Sequence, residues 1–222
     1  MLNVSHLSGW VLRRIPLSRR SHITGFQPQP FGVTEHESAL ERDFVTLVRF
    51  ADAAAQITAQ PITIEFHDQG RRHRYTPDFL VGWSDGAVEL VEVKYQADLR
   101  HLGKQLGPRF RAARRWAREQ KARFRVATER SIRTPRLSNA QRLLPLRNVW
   151  LDPQAVLQVQ AAWVPMAQAV TFAELLQRLP GERAAMLGLL WRMIARGALR
   201  VDLDVPITLN SCIELPAGLP GR

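Results

Sequence analysis

The chain has 222 residues, 45% of them apolar and 23% charged, with a formal net charge of +11. This composition supplies enough apolar material for a packed core and excludes wholesale disorder; the length suits one domain of about 150 residues and a smaller second module. The lone Cys212 excludes a disulfide framework and a cysteine-based zinc site, and no stretch reaches the roughly 20 apolar residues that a membrane-spanning helix needs.

The charge is unevenly distributed. Residues 1–30 carry four Arg and no acid, residues 31–95 carry six basic and eleven acidic residues, and residues 96–150 carry fifteen basic and three acidic residues. An acidic segment followed by a strongly basic one is what a metal-dependent enzyme acting on a polyanion requires. Carboxylates hold cations, while neighbouring Arg and Lys neutralise phosphates. A solvated basic face without a partner is the plainer alternative. The six His show no paired ligand spacing, so zinc is not indicated.

Residues 1–33 have weak periodicity and several prolines and read as an irregular arm, with a short strand possible between His22 and Phe31. Residues 34–50 read as a helix with Leu40, Phe44, Leu47 and Val48 on one face. Two capping boxes compete for its start, one at Thr34 with Glu37 and one at Ser38 with Glu41. Three β segments follow: Ile62, Ile64 and Phe66; Arg72, Arg74 and Thr76 leading into Pro77-Asp78-Phe79-Leu80-Val81; and Val88 to Tyr95. They are separated by the turn signals Asp68-Gln69-Gly70 and Ser84-Asp85-Gly86 and predict a meander. Residues 108–121 read as a helix opening at Pro108, with Arg111, Arg114, Arg115 and Arg118 on one basic face. A strand over 124–128 completes a mixed α/β layered pattern.

Beyond Asp152-Pro153 the character changes. A capping box at Thr171 and Glu174 opens a short helix, and residues 182–196 form a second one that Gly197 stops. Two short β segments are expected over 199–203 and 207–209. Helix, helix and hairpin make the winged-helix pattern.

The chemistry is concentrated at Pro77-Asp78 and, fourteen positions on, Glu92-Val93-Lys94. Glu92 and Lys94 are two apart on a strand and therefore project from one face, where an Asp from the neighbouring strand can meet them. Close carboxylates favour a hard cation such as magnesium. Bound metal polarises a scissile phosphate and lowers the pKa of a bound water, and Lys94 would position the water and offset charge developing on the phosphate. The main-chain carbonyl of Val93 offers a further oxygen. An ordinary surface Glu–Lys pair is the alternative, but the strongly apolar neighbours argue against it. Glu41, at the edge of the first helix's apolar stripe, is the expected fourth member, with Glu37 its competitor. Arg111, Arg114, Arg115 and Arg118 are candidate phosphate contacts, and Arg72 and Arg74 candidate contacts to the scissile strand. Trp116 and Trp163 read as core.

The runs 37–44, Gln60-Pro61-Ile62, Arg74-Tyr75-Thr76-Pro77-Asp78-Phe79-Leu80-Val81 and Leu90-Val91-Glu92-Val93-Lys94-Tyr95, with later matches over 128–133 and 139–145, resemble the TnsA family of endonuclease subunits of heteromeric transposases. The resemblance implies a PD-(D/E)xK nuclease with a restriction-endonuclease-like mixed-sheet core, followed by a small winged-helix-like α+β domain. On that basis an arm is expected over 1–33, a nuclease domain over 34–150 and the winged-helix-like domain over 151–222. It implies magnesium or manganese at the site, with Glu41 as the helix glutamate, Asp78 as the metal-binding aspartate and Lys94 as the motif lysine; the spacing adds Glu92 and the Val93 carbonyl to the expected metal ligands. It further implies cleavage at the 5′ ends of a transposon, beside a DDE-type transposase subunit and an AAA+ ATPase regulator, in a bacterial cytoplasm. Some members carry Gln where this chain has Glu92. A stand-alone restriction or repair nuclease, and an inactive DNA-binding adaptor, are the competing readings.

Overall fold

A computed structural model describes residues 25–29, 32–36, 38–163 and 170–216. The chain divides into two compact units, Met1–Arg133 and Thr134–Arg222.

In the first unit, β1 (Gly25–Gln29) pairs antiparallel with β2 (Gly32–His36). Helix α1 runs over Ala39–Ala51, so the helix expected from residue 34 starts later. Thr34 belongs to β2, where the ladder satisfies backbone groups that a helix would otherwise have used. The second capping box is the one that forms: the Ser38 hydroxyl accepts from the Glu41 N–H at 3.2 Å and donates to the Glu41 carboxylate at 3.0 Å. Glu37 lies outside the described residues. β1 lies within the stretch from His22 to Phe31 in which a short strand was expected; residues 1–24 lie outside the described residues.

Six strands follow: β3 (Gln56–Ala59), β4 (Ile64–Asp68), β5 (Arg71–Tyr75), β6 (Phe79–Gly82), β7 (Val88–Val93) and, after two helices, β8 (Arg123–Ala127). They do not form one meander. β4 and β5 make a separate two-stranded ribbon turning at Gln69 and Gly70, both with positive φ. The main sheet instead has the order β3-β6-β7-β8 and recruits Gln56–Ala59, a segment whose shortness and flanking alanines hide it from a reading of the sequence. β6 runs antiparallel to β3 and β7, and β7 parallel to β8. The parallel pair needs a crossover. It is supplied by α2 (Gln96–His101) and α3 (Gly103–Glu119). Helix α3 begins at Gly103 rather than Pro108. The proline is carried inside it, forfeiting one main-chain donor. The short α4 (Glu129–Ile132) closes the unit.

Strand alternation sorts the core into two layers. Phe79, Val81, Val91 and Val93 pack under α1 with Leu40, Phe44, Val45 and Val48. Leu80 and Leu90 face the other way, against Ala112 and Ala113 of α3 and Ile64 and Tyr75 of the ribbon. Trp116 packs against this second layer, as expected. A mixed sheet covered on both faces in this order is a restriction-endonuclease-like α/β core.

The second unit contains α5 (Pro135–Leu143), a 3-10 turn (Leu144–Leu146), α6 (Pro153–Trp163), β9 (Val170–Thr171), α7 (Phe172–Arg178), α8 (Arg183–Ala195), β10 (Arg200–Val201) and β11 (Cys212–Glu214). Its three strands are antiparallel in the order β10-β11-β9. The Thr171–Glu174 capping box and the stop at Gly197, with φ +73°, are both present. The closing strand lies at Cys212–Glu214 instead of 207–209. Buried Asn139 explains the shift: its amide donates to the carbonyls of Leu203 (2.9 Å) and Val205 (2.8 Å) and holds the intervening segment as a loop. Helix α5 packs against α8. The two compact units divide after Arg133, while the change of sequence character lies at Asp152-Pro153. Among the described residues no helix is long and apolar enough to cross a membrane.

Candidate active site

The pairing of β6 with β7 builds the site. Phe79 lies opposite Val91, so one step outward Asp78 comes opposite Glu92. Leu80 and Leu90 point to the α3 layer, and alternation puts Asp78, Glu92 and Lys94 on that same side. Asp78 is held at the strand entrance by two main-chain contacts. Its carbonyl accepts from Gln60 N–H at 2.7 Å, and its Oδ2 accepts from Val93 N–H at 2.7 Å. Val93, expected to offer its carbonyl to a metal, also anchors Asp78 through this N–H. Lys94 is fixed in turn by its own N–H, which donates to Ala127 O at 3.0 Å and ties the end of β7 to β8.

Glu92 is 3% exposed. A buried carboxylate requires partners, and both of its oxygens have one. Lys94 Nζ is 3.1 Å from Oε1, and the Tyr75 hydroxyl donates to Oε2 at 2.7 Å. Lys94 Nζ also lies 4.0 Å from Asp78 Oδ2. Burial, the charge of Glu92 and, more weakly, that of Glu41 push the Asp78 carboxyl well above the usual carboxylate range, against the pull of Lys94 and the Val93 amide. Burial works against the Lys94 ammonium, but Asp78, Glu92 and Glu41 together outweigh it and hold lysine above its ordinary value. Burial, and then the adjacent Glu92 charge, raise the Tyr75 phenol far above its ordinary value, so that it stays a donor.

Asp78, Glu92 and Lys94 are therefore brought together as their spacing implies. Glu41 stands apart. It sits on α1, bonds to Ser38, and is felt at Asp78 and Lys94 through space. Among the described residues no three His, Cys, Asp or Glu converge tightly enough to form a ready-made metal cage. The donor set nevertheless suits a hard divalent ion. Two carboxylates share one ammonium, and burial together with the charge of Glu92 disfavours the ionised Asp78, a cost that a bound cation would offset. Magnesium commonly takes only one or two protein carboxylates and fills its remaining positions with water and phosphate.

The basic residues fall into two sets. Arg111, Arg114, Arg115 and Arg118 are exposed along α3, while Ala112, Ala113 and Ala117 between them are buried. The Arg111 guanidinium reaches Asp68 at the ribbon's tip (3.8 Å), and that of Arg114 lies 5.7 Å from the Phe124 ring centre. Arg72 and Arg74, on β5, are exposed but both pair with Glu65. Tyr75, which touches Glu92 directly, is a residue of the cluster that sequence reasoning missed. The signal was present: it continues the buried row of Ile64 and Phe66 across the ribbon, and a phenol buried among apolar side chains needs an acceptor.

Compared with known families, residues 52–129 match the model of the TnsA-like endonuclease N-terminal domain. That segment is a TnsA-like endonuclease domain. The match spans β3 to the start of α4, and so includes Asp78, Glu92, Lys94, Tyr75 and the whole basic helix; Glu41 lies before it. A comparison with curated proteins found no match. The TnsA-like domain supports a nuclease of the transposase family and, in general terms, a DNA substrate.

Proposed function

We propose that this protein is the metal-dependent endonuclease subunit of a heteromeric transposase, cutting at the 5′ ends of a mobile element during cut-and-paste transposition. The observation that carries the reading is the Asp78–Glu92–Lys94 cluster, with Glu92 buried and the other two half-buried, at the paired ends of β6 and β7, inside the TnsA-like segment. Asp78 and Glu92 would hold magnesium or manganese, with Glu41 contributing charge from α1. The bound ion would polarise the scissile phosphate and lower the pKa of a coordinated water.

The protein's own groups account for the rest. Lys94, kept protonated by its carboxylate neighbours, offers a donor to the attacking water or to a phosphate oxygen as negative charge accumulates there. The Val93 amide and the Gln60 amide fix Asp78, so that little reorganisation is needed when substrate arrives. Arg111, Arg114, Arg115 and Arg118 would bind phosphates without reading bases, and Arg72 and Arg74 would exchange Glu65 for the scissile strand. In the second unit, the order α6, β9, α7, α8, β10, β11 with sheet order β10-β11-β9 supports a winged-helix-like domain. A DDE-type transposase and an AAA+ ATPase are the partners this reading entails.

The test is a reconstituted reaction with transposon-end DNA and the partner proteins. Asp78→Ala and Lys94→Ala should each abolish 5′-strand cleavage while DNA binding persists. Cleavage at the wild-type rate by either variant would refute the assignment.

A further inference from the structure

Tyr75 occupies a position that the nuclease reading does not by itself require. It is the last residue of β5, at the root of the ribbon, and is 6% exposed. Its ring packs with Ile64, Leu80, Leu90 and Ala113 and meets the Phe110 ring of α3 at a centroid distance of 6.4 Å. Those neighbours come from three directions: the ribbon, the main sheet and the basic helix. They leave the ring little freedom, and its hydroxyl is delivered to Glu92 Oε2 at 2.7 Å. The opposite oxygen, Oε1, lies 3.1 Å from the Lys94 ammonium. Glu92 is thus gripped at both ends by donors that differ in kind. Lys94 is one-third exposed on a long, flexible stem, whereas the phenol is rigid and enclosed.

We infer that Tyr75 is a positioning residue for Glu92: its hydroxyl occupies Oε2 and so fixes the carboxylate's rotation, leaving Oε1 as the oxygen presented toward Asp78 and Lys94. This rests on the metal-dependent nuclease reading of the same site. A carboxylate free to spin would face a cation with either oxygen or both. One tethered by a buried hydroxyl presents a single oxygen in one direction, the arrangement by which outer partners orient metal-binding side chains. The ribbon and α3, which carry the arginines proposed to meet DNA, are the elements that seat Tyr75. The carboxylate's direction is therefore set by the packing of the same elements that would bind the duplex.

The experiment is calorimetric titration of the full chain with manganese alone, without DNA, for wild type, Tyr75→Phe, Glu92→Gln, the Tyr75→Phe/Glu92→Gln double variant, Asp78→Asn, and Ile64→Val as a packing control. Tyr75→Phe keeps the ring and removes only the donor. It should weaken manganese binding by about tenfold or more, while circular dichroism shows a folded protein and DNA affinity stays at the wild-type level. On top of Glu92→Gln the same substitution should add nothing, because the carboxylate through which it acts has gone. Ile64→Val, which thins the same cluster without touching the hydroxyl, should bind manganese as wild type does. Undiminished binding by Tyr75→Phe, an equal loss in the Glu92→Gln background, or an equal loss from Ile64→Val would overturn the role of Tyr75. A wild-type protein that takes up no manganese, or an Asp78→Asn variant that binds as well as wild type, would instead overturn the metal-dependent reading beneath it.

Discussion

Replacing Asp78 with asparagine should make the metal-free protein more stable at neutral pH while ending its activity. Lys94 Nζ lies 4.0 Å from Asp78 Oδ2, an attraction of about 4 kcal/mol at an effective dielectric constant of roughly 20. The Val93 amide adds a hydrogen bond at 2.7 Å. Despite both, the carboxyl is pushed upward, because burial and the charges of Glu92 and Glu41 outweigh them. Asparagine keeps an acceptor for the Val93 N–H and removes the charge, so the surplus is recovered: about 0.5–2 kcal/mol, typical of relieving an active-site conflict. Each kcal/mol should raise the melting midpoint by about 4–8 °C in a domain of roughly 100 residues. The pH dependence identifies the cause. A carboxylate whose native pKa is raised binds more protons in the folded state than in the unfolded one, so wild-type stability falls as pH climbs from the ordinary aspartate value of 3.8 toward the native value. Asparagine shows no such fall. The two proteins should therefore have similar midpoints near the ordinary value and separate above it, in melts followed by circular dichroism in EDTA from about pH 4 to about pH 8. Manganese should reverse the order, since a ligand at a hundredfold excess over its Kd stabilises by about 2.7 kcal/mol and only wild type would bind it. An Asp78→Asn protein less stable than wild type in EDTA at neutral pH, or a gap that does not widen with pH, would refute this account of the site's electrostatics.

Two further outcomes are expected. Replacing Arg114 and Arg118 with alanine should weaken binding to duplex DNA regardless of sequence and reduce the slope of log K against log salt by about 0.9 for each phosphate no longer neutralised; an unchanged slope in a salt series would show that the exposed face of α3 does not meet phosphate. Asn139→Ala should cost about 1–3 kcal/mol, because the carbonyls of Leu203 and Val205 lose their donor. The loss should appear in hydrogen exchange as faster opening of the loop before β11, with the nuclease unit's amides unaffected.

The nuclease core could be read from the sequence to the extent that its signals were local. Alternation over Val88–Val93 and the Asp-Gly turn before it located β7, and spacing alone placed Glu92 beside Lys94. The Ser38 box located α1 once the competing Thr34 box had been drawn into β2. What escaped was settled by partners distant in sequence. β3 is four residues long and gains its identity only by pairing with β6. The ribbon of β4 and β5 alternates as a sheet strand should, yet it pairs only with itself and lays its apolar row against α3 and one face of the main sheet. Helix α3 begins five residues before the proline that seemed to open it, because a helix with enough buried alanine tolerates one missing donor.

The active site divides along the same line, and the division has a physical cause. Asp78, Glu92 and Lys94 converge because two antiparallel strands in register must bring them together, a consequence of pleat geometry that needs no tertiary information. Glu41 and Tyr75 depend on how α1 and the ribbon settle on opposite faces of the sheet. Helical-wheel reasoning picked out Glu41, which bonds to its own cap and whose charge acts on Asp78 and Lys94. Tyr75 went unranked although its hydroxyl touches Glu92 directly. Charge spacing along the chain finds the groups that do chemistry; finding those that aim them requires asking which buried polar tips have no partner within their own strand or helix, and Tyr75 is the residue in this core to which that question leads.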